Sequence, residues 1–165
     1  MIILEGIDGV GKTTLVDFFV EHGMQKYHFD YDTHNMDLFT KYMRILENDT
    51  ELLVFDRSFI SEMVYGPVLR NDCKLSISQF KNLLQAYKQC GTYIIYLTSP
   101  KAILLSRRIN DLKDYEMINN YYDSLNKKYD EIMSFSQEYI DIMKCDSHLM
   151  SKEEIQEKTR RLLRW

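Results

Sequence analysis

Apolar residues follow two rhythms along this chain. Unbroken short runs read as buried strands: Met1-Ile2-Ile3-Leu4, closed by Glu5, then 51–55 ending at Asp56, then 92–97. Weaker runs at 26–30 and 139–143 read as two further strands. Elsewhere apolar residues recur every three or four positions, as Met36, Phe39, Met43 and Leu46 do, which predicts a helix over 36–47. Further helices are predicted over 12–22, 58–69, about 76–89, 101–110, 114–137 and 152–164. Gly66-Pro67 is placed to break the helix of 58–69, because proline has no N–H to give. Ser76 or Ser78 caps the next helix and Gly91 stops it. Ser151, with Glu154 three residues on, forms a capping box for the last.

Strands alternating with helices imply an α/β fold, a parallel sheet covered by helices on both faces. Right-handed crossovers then bring ligands to the carboxyl ends of the strands. The 165 residues hold two prolines, no Gly/Ser-rich linker and no repeat, so 1–165 reads as a single domain.

Composition adds exclusions. A net charge of -4 argues against holding nucleic acid on a broadly basic face. Cys73, Cys90 and Cys145 lack metal-ligand spacing, and an odd number cannot pair fully, so reduced thiols in a cytoplasmic protein are expected. No run is long and apolar enough to span a membrane, and the apolar start lacks the basic flank of a signal peptide.

The chemistry enters at Gly6-Ile-Asp-Gly-Val-Gly-Lys12-Thr13, which fits G-x-x-x-x-G-K-[ST] between a predicted strand and a predicted helix. Gly6, Gly9 and Gly11 let the backbone curl its N–H groups inward at phosphate oxygens, and the helix opening near Lys12 adds the positive end of its dipole. Lys12 is expected at the β- and γ-phosphates and Thr13 on Mg²⁺. The expected ATP-phosphate set is thus Gly6, Gly9, Val10, Gly11, Lys12, Thr13 and Thr14.

The flanks narrow the class. Glu5 through Thr14 resembles the phosphate loop of thymidylate kinases. Asp56-Arg57-Ser58-Phe-Ile-Ser61 resembles their Asp-Arg-Tyr-x-x-Ser segment, with serine in place of tyrosine. Tyr65-Gly66 falls where that family has Tyr-Gln, and Arg70 sits near its following arginine. Tyr96 to Pro100, continuing to Arg107, is similar to its strand and arginine-bearing lid helix, and Asp146-Ser147 lies where the adenine-side loop would come. The resemblance runs end to end and is nearest to compact, phage-type members.

That resemblance implies a P-loop nucleotide kinase fold, a five-stranded parallel sheet of order 2-3-1-4-5, with ATP and Mg²⁺ as cofactors. It also implies a lid at about 107–115, a small-molecule nucleotide partner and a homodimer. Matched residue by residue, Asp8 would touch the acceptor sugar and Arg57 would hold the acceptor phosphate. Asp56 would act through Mg²⁺ or its waters. Gly9 stands where some relatives carry an arginine, so the lid residues Arg107 and Arg108 would supply that charge. Against this, a basic turn at a helix end also complements the dipole with no role in chemistry.

The chain departs from the family after the second strand. His28-Phe-Asp-Tyr-Asp32-Thr-His34 replaces Arg-Glu-Pro-Gly-Gly-Thr, so no arginine stands there for the acceptor phosphate. His28 and His34 read as structural or exposed residues. Asp30 and Asp32 occupy the region where deoxynucleoside kinases place a general base, though turn chemistry explains them equally well. Phe39, Tyr42, Arg44 and Tyr65 are candidates for the base, against a plain core role for Phe39 and a solvated helix face for Arg44. Tyr121, Tyr122 and Tyr129 read as packing residues.

Four functions compete. The leading one is phosphoryl transfer from ATP to a pyrimidine deoxynucleoside monophosphate, dTMP or a relative. The second is a deoxynucleoside kinase with Asp30 or Asp32 as base. The third, a kinase acting on a modified pyrimidine such as hydroxymethyluracil in DNA, is weakened by the net acidity. The fourth, a nucleotide-driven switch, lacks a guanine-specificity motif such as Asn-Lys-x-Asp.

Overall fold

A computed structural model describes residues 1–28, 37–47 and 52–163. Asp30, Asp32 and His34 lie outside the described residues, and His28 enters only through its backbone. The chain order is β1 (Ile2–Glu5), α1 (Lys12–Glu21), β2 (Gln25–His28), α2 (Leu38–Leu46), β3 (Leu53–Asp56), α3 (Phe59–Tyr65), α4 (Ile77–Gln89), β4 (Tyr93–Thr98), α5 (Lys101–Arg107), α6 (Leu112–Ser136), β5 (Asp141–Asp146) and α7 (Lys152–Leu163). The five strands form one parallel sheet in the order β2-β3-β1-β4-β5, as the resemblance implied.

Burial explains why β1 reads as an unbroken apolar run. Ile2, Ile3 and Leu4 point alternately to the two faces, and none is exposed. Both faces are therefore covered. Ile3 pairs with Phe55 and Glu5 with Tyr96, so these four residues share one face. Phe55 meets Tyr87 of α4 edge-on, and Tyr96 stacks on Tyr129 of α6. Tyr42 of α2 is wholly buried, edge-on to Phe59 and Tyr87, and therefore belongs to the core.

Two expectations shift. The strand expected at 139–143 is β5 at 141–146, because the N–H groups of Tyr139 and Ile140 still donate to Ser136 at the end of α6. The helix expected over 58–69 keeps α geometry to Tyr65, breaks at Gly66-Pro67 as expected, and continues as a π-helical turn at Gly66–Arg70 instead of stopping. Pro67 has no N–H for the i−4 bond, so the α ladder cannot continue. Asn71, in the left-handed region with φ 52°, ends the turn. The Ser151–Glu154 capping box forms as expected, and Ser76 rather than Ser78 caps α4, in a capping box with Gln79. Among the described residues no helix is long and apolar enough to cross a membrane. All three cysteines are free thiols.

Candidate active site at the strand ends

β1 delivers the chain to its carboxyl end at Glu5, and the phosphate loop turns there into α1. Gly6 adopts φ 142°, and a Cβ on it would sit 2.3 Å from the Leu97 carbonyl oxygen, so no larger residue fits. Lys12 lies folded over this loop, donating to the carbonyls of Gly6 at 2.7 Å and Ile7 at 3.1 Å. Its ammonium is 3.9 Å from the Asp8 carboxylate. Burial, helped by the Arg57 charge, pulls the Lys12 pKa down to about 7, while Asp8, Glu5 and Asp56 pull the other way.

β3 ends beside the same loop. Arg57 follows Asp56 with φ 70°, a left-handed conformation that costs a side chain about 1 kcal/mol. Its own N–H donates to Leu4 at 3.1 Å and ties the turn to β1. The guanidinium bonds to Asp8, to the Tyr65 hydroxyl at 3.1 Å and to Ser61 Oγ at 3.4 Å, and it stacks 4.6 Å above the Tyr65 ring. Burial pushes the Asp8 carboxyl up, but Arg57 and Lys12 outweigh it and hold Asp8 below the usual carboxylate range. Asp56 is buried and takes an ion pair from Lys26 at 3.5 Å.

The third contribution comes from the end of α5 and the β5–α7 loop. Arg107 donates to the Gly9 carbonyl at 3.0 Å, to the Ser147 carbonyl at 3.2 Å and to Ser147 Oγ at 3.3 Å. It thus bridges the phosphate loop to the loop after β5. Arg108 runs over Gly9, whose ideal Cβ position is 3.4 Å from its Nε, and it pairs with Asp114 at 3.5 Å. A Cβ at position 9 would only touch Arg108, and what favours glycine there is its φ of 85°.

These parts enclose a cavity of about 500 Å³. Lys12, Arg57, Arg107, Arg108 and Lys152 line it, together with the carboxylates of Asp8 and Asp56. The loop residues from Gly9 to Thr14 form its floor, with Gly6 at the hinge just outside. Leu97, Met150 and Ile155 add apolar lining, with Ser147 from the loop after β5. Thr13 and Asp56 present oxygen donors to the same space, and the described residues hold no cluster of three or more ligands that would bind a metal unaided. That donor set fits a magnesium ion shared with bound phosphates.

Phe39, Arg44 and Tyr65 stand outside the cavity wall among the described residues. Phe39 packs half-buried against the core, Arg44 is exposed, and Tyr65 acts on the site through Arg57. Tyr122 donates to the Ser99 carbonyl, and Tyr121 is exposed.

Several site-related residues were not singled out from sequence. Glu5 is wholly buried and accepts from Ser58, Ser61 and Tyr129. Its signals were its place closing an apolar strand and its place at the head of the loop segment Glu5 through Thr14. Lys152, which opens α7, and Met150, just before it, also reach the cavity.

No protein-family model matches the chain, and no curated protein matches it either. Solved structures do. The YorR protein of Bacillus subtilis, in complex with phosphorylated GDP, matches with TM-score 0.82 at 21% identity, over 99% of this chain and 95% of its own. Deoxyadenosine kinase of M. mycoides with bound dCTP matches with TM-score 0.63 at 18% identity, over 100% of both chains. The same kinase with products dCMP and a flexible dCDP matches with TM-score 0.63 at 17% identity, over 99% of each. Likeness at these identities concerns the fold, and the fold of this chain is that of the P-loop kinases.

Proposed function

We propose that this chain is a kinase that transfers the γ-phosphoryl group of ATP to a pyrimidine deoxynucleoside monophosphate, dTMP or a close relative, giving the diphosphate. The observation that carries the reading is charge. In a chain of net -4, five cationic side chains meet two carboxylates around one cavity built on a phosphate loop. Such a site suits a polyphosphate whose charge must be neutralised as it moves.

Each residue then has a task. The loop N–H groups and Lys12 hold the β- and γ-phosphates, and the apolar lining of Leu97 and Ile155 receives the donor base. Arg57 grips the acceptor phosphate, and Asp8, freed from Arg57, turns to the sugar hydroxyl. An acceptor phosphate oxygen forms a bond to the γ-phosphorus while the bond to the β,γ-bridging oxygen breaks, and ADP carries that electron pair away. The acceptor oxygen is already anionic and needs no general base. Thr13 and Asp56 would hold Mg²⁺, directly or through water, and the ion would neutralise charge on the β- and γ-oxygens. Arg108, beside Gly9, supplies the positive charge to the moving group, and Arg107 ties the donor side together. The segment 107–115 closes as a lid and excludes water. The homodimer belongs to the same proposal, and sedimentation equilibrium would test it.

A second reading, with a deoxynucleoside as acceptor and Asp30 or Asp32 as base, is favoured by one feature. Arg57 is already bridged to Asp8, and Arg70 is locked in two bonds to Glu62, so an incoming phosphate must displace a carboxylate. The fold shared with a deoxyadenosine kinase points the same way. Calorimetric titration of dTMP and thymidine into the wild type and Arg57→Ala separates the two. The monophosphate reading expects dTMP to bind and the variant to lose about tenfold or more, as for a charged hydrogen bond. Thymidine binding more tightly than dTMP, with no effect of Arg57→Ala, would leave the nucleoside reading.

A further inference from the structure

Glu5 has no part in the transfer described above, and it lines no part of the cavity. Its carboxylate is 0% exposed. Burial pushes its carboxyl above the usual range, against the pull of Ser61, Arg57, Ser58 and Lys12. Burying a carboxylate is unfavourable unless hydrogen bonds replace its water, so an apolar residue would close the strand more simply. Here the replacement is complete. Oε1 accepts from the Ser58 N–H and from Ser58 Oγ, both at 2.8 Å. Oε2 accepts from Ser61 Oγ at 2.7 Å and faces the Tyr129 hydroxyl at 3.1 Å.

The donors sit beside the working atoms. Ser58 follows Arg57 directly. Ser61 gives its single hydroxyl proton to Glu5, which leaves its lone pairs for Arg57 Nη1 at 3.4 Å. The Tyr129 hydroxyl is also 3.3 Å from the Gly6 carbonyl, which receives Lys12.

We infer that Glu5 is a positioning residue that aims the Arg57 guanidinium into the cavity, through the Ser61 hydroxyl and the Ser58 backbone. What Arg57 grips rests on the kinase reading; the coupling of Glu5 to Arg57 does not. Glu5→Gln keeps the shape and reverses one bond. Its carbonyl oxygen must face the Ser58 N–H, a fixed donor, so its NH₂ takes the place of Oε2. Ser61 then accepts from that NH₂, which takes up one of the lone pairs open to Arg57, and its own proton is released to rotate between the Tyr129 hydroxyl at 3.4 Å and Arg57.

Two measurements test this on the full chain. In steady-state kinetics, Glu5→Gln raises the KM for dTMP about tenfold, the loss of roughly one charged hydrogen bond, and leaves the KM for ATP unchanged. Ser61→Ala does the same, and the double variant is no worse than Ser61→Ala alone, because both act through one link. Equal effects on both KM values, or additive losses, would overturn the inference. The second readout needs no turnover: NMR exchange of the Arg57 guanidinium protons with water, with Arg70, locked to Glu62, as internal reference. Faster exchange at Arg57 alone in Glu5→Gln and in Ser61→Ala supports the coupling. Unchanged exchange at Arg57 would overturn it, whether or not dTMP proves to be a substrate. If Glu5→Gln does not fold, Ser61→Ala decides the exchange test by itself.

Discussion

Replacing Lys12 by methionine should abolish phosphoryl transfer and yet stabilise the folded protein at neutral pH. The lysine is 6% exposed, and its pKa falls from 10.5 to about 7. A fall of that size makes burial of the protonated form unfavourable by about 5 kcal/mol. Methionine removes that penalty. It also removes the bonds to the Gly6 and Ile7 carbonyls, about 1 kcal/mol each. The difference leaves Lys12→Met about 3 kcal/mol more stable at pH 7. The sign of the pH dependence follows. Between pH 7 and 10.5 the unfolded chain binds more protons at this lysine than the folded chain, so wild-type stability rises with pH there. The variant loses that rise, which amounts to about 3 kcal/mol by about pH 9.5, so the two stabilities cross near that pH and the variant is the less stable above it. Urea unfolding of both proteins across this range reads the crossing directly. A variant less stable at pH 7, with the wild-type pH slope, would refute the reasoning.

Other outcomes follow from the same geometry. Arg108→Ala should lower turnover about 100-fold with little change in ATP affinity, whereas Arg107→Ala, which unties Gly9 from Ser147, should chiefly raise the KM for ATP. Steady-state kinetics with ATP varied would show both patterns or reverse them. Gly66→Ala places a Cβ 2.5 Å from the Asp72 carbonyl oxygen and crowds the Arg70–Glu62 pair, so chemical denaturation should show a loss of about 1–3 kcal/mol. The Asp30→Asn/Asp32→Asn double variant should keep full activity on a monophosphate acceptor, because no base is needed. A collapse of activity would put the general base back into the mechanism.

Legibility in the sequence tracked local constraint. The phosphate loop was readable because its glycines are demanded by backbone geometry, as at Gly6 under the Leu97 carbonyl. The central strands were readable because both their faces are buried, which leaves an unbroken apolar run. β5 was harder. It is an edge strand whose alternating polar residues and Lys144 dilute the signal, and α6 takes the N–H groups of Tyr139 and Ile140. Arg57 could be singled out by its motif, but its bridge to Asp8 joins residues 49 positions apart, which no local pattern encodes. The same holds for Tyr129, whose hydroxyl meets Glu5 across 124 positions and which read as packing alone. Lys152 looked like an ordinary solvated lysine because only the fold brings the start of α7 to the cavity.

The decisive measurement is acceptor-dependent release of ADP from Mg-ATP, followed with each deoxynucleoside monophosphate and each deoxynucleoside in turn. The expected result is turnover with dTMP or dUMP, none with thymidine, and none with any acceptor in Lys12→Met. ADP release that no acceptor of either set stimulates, or that only nucleosides stimulate, would contradict the proposed transfer.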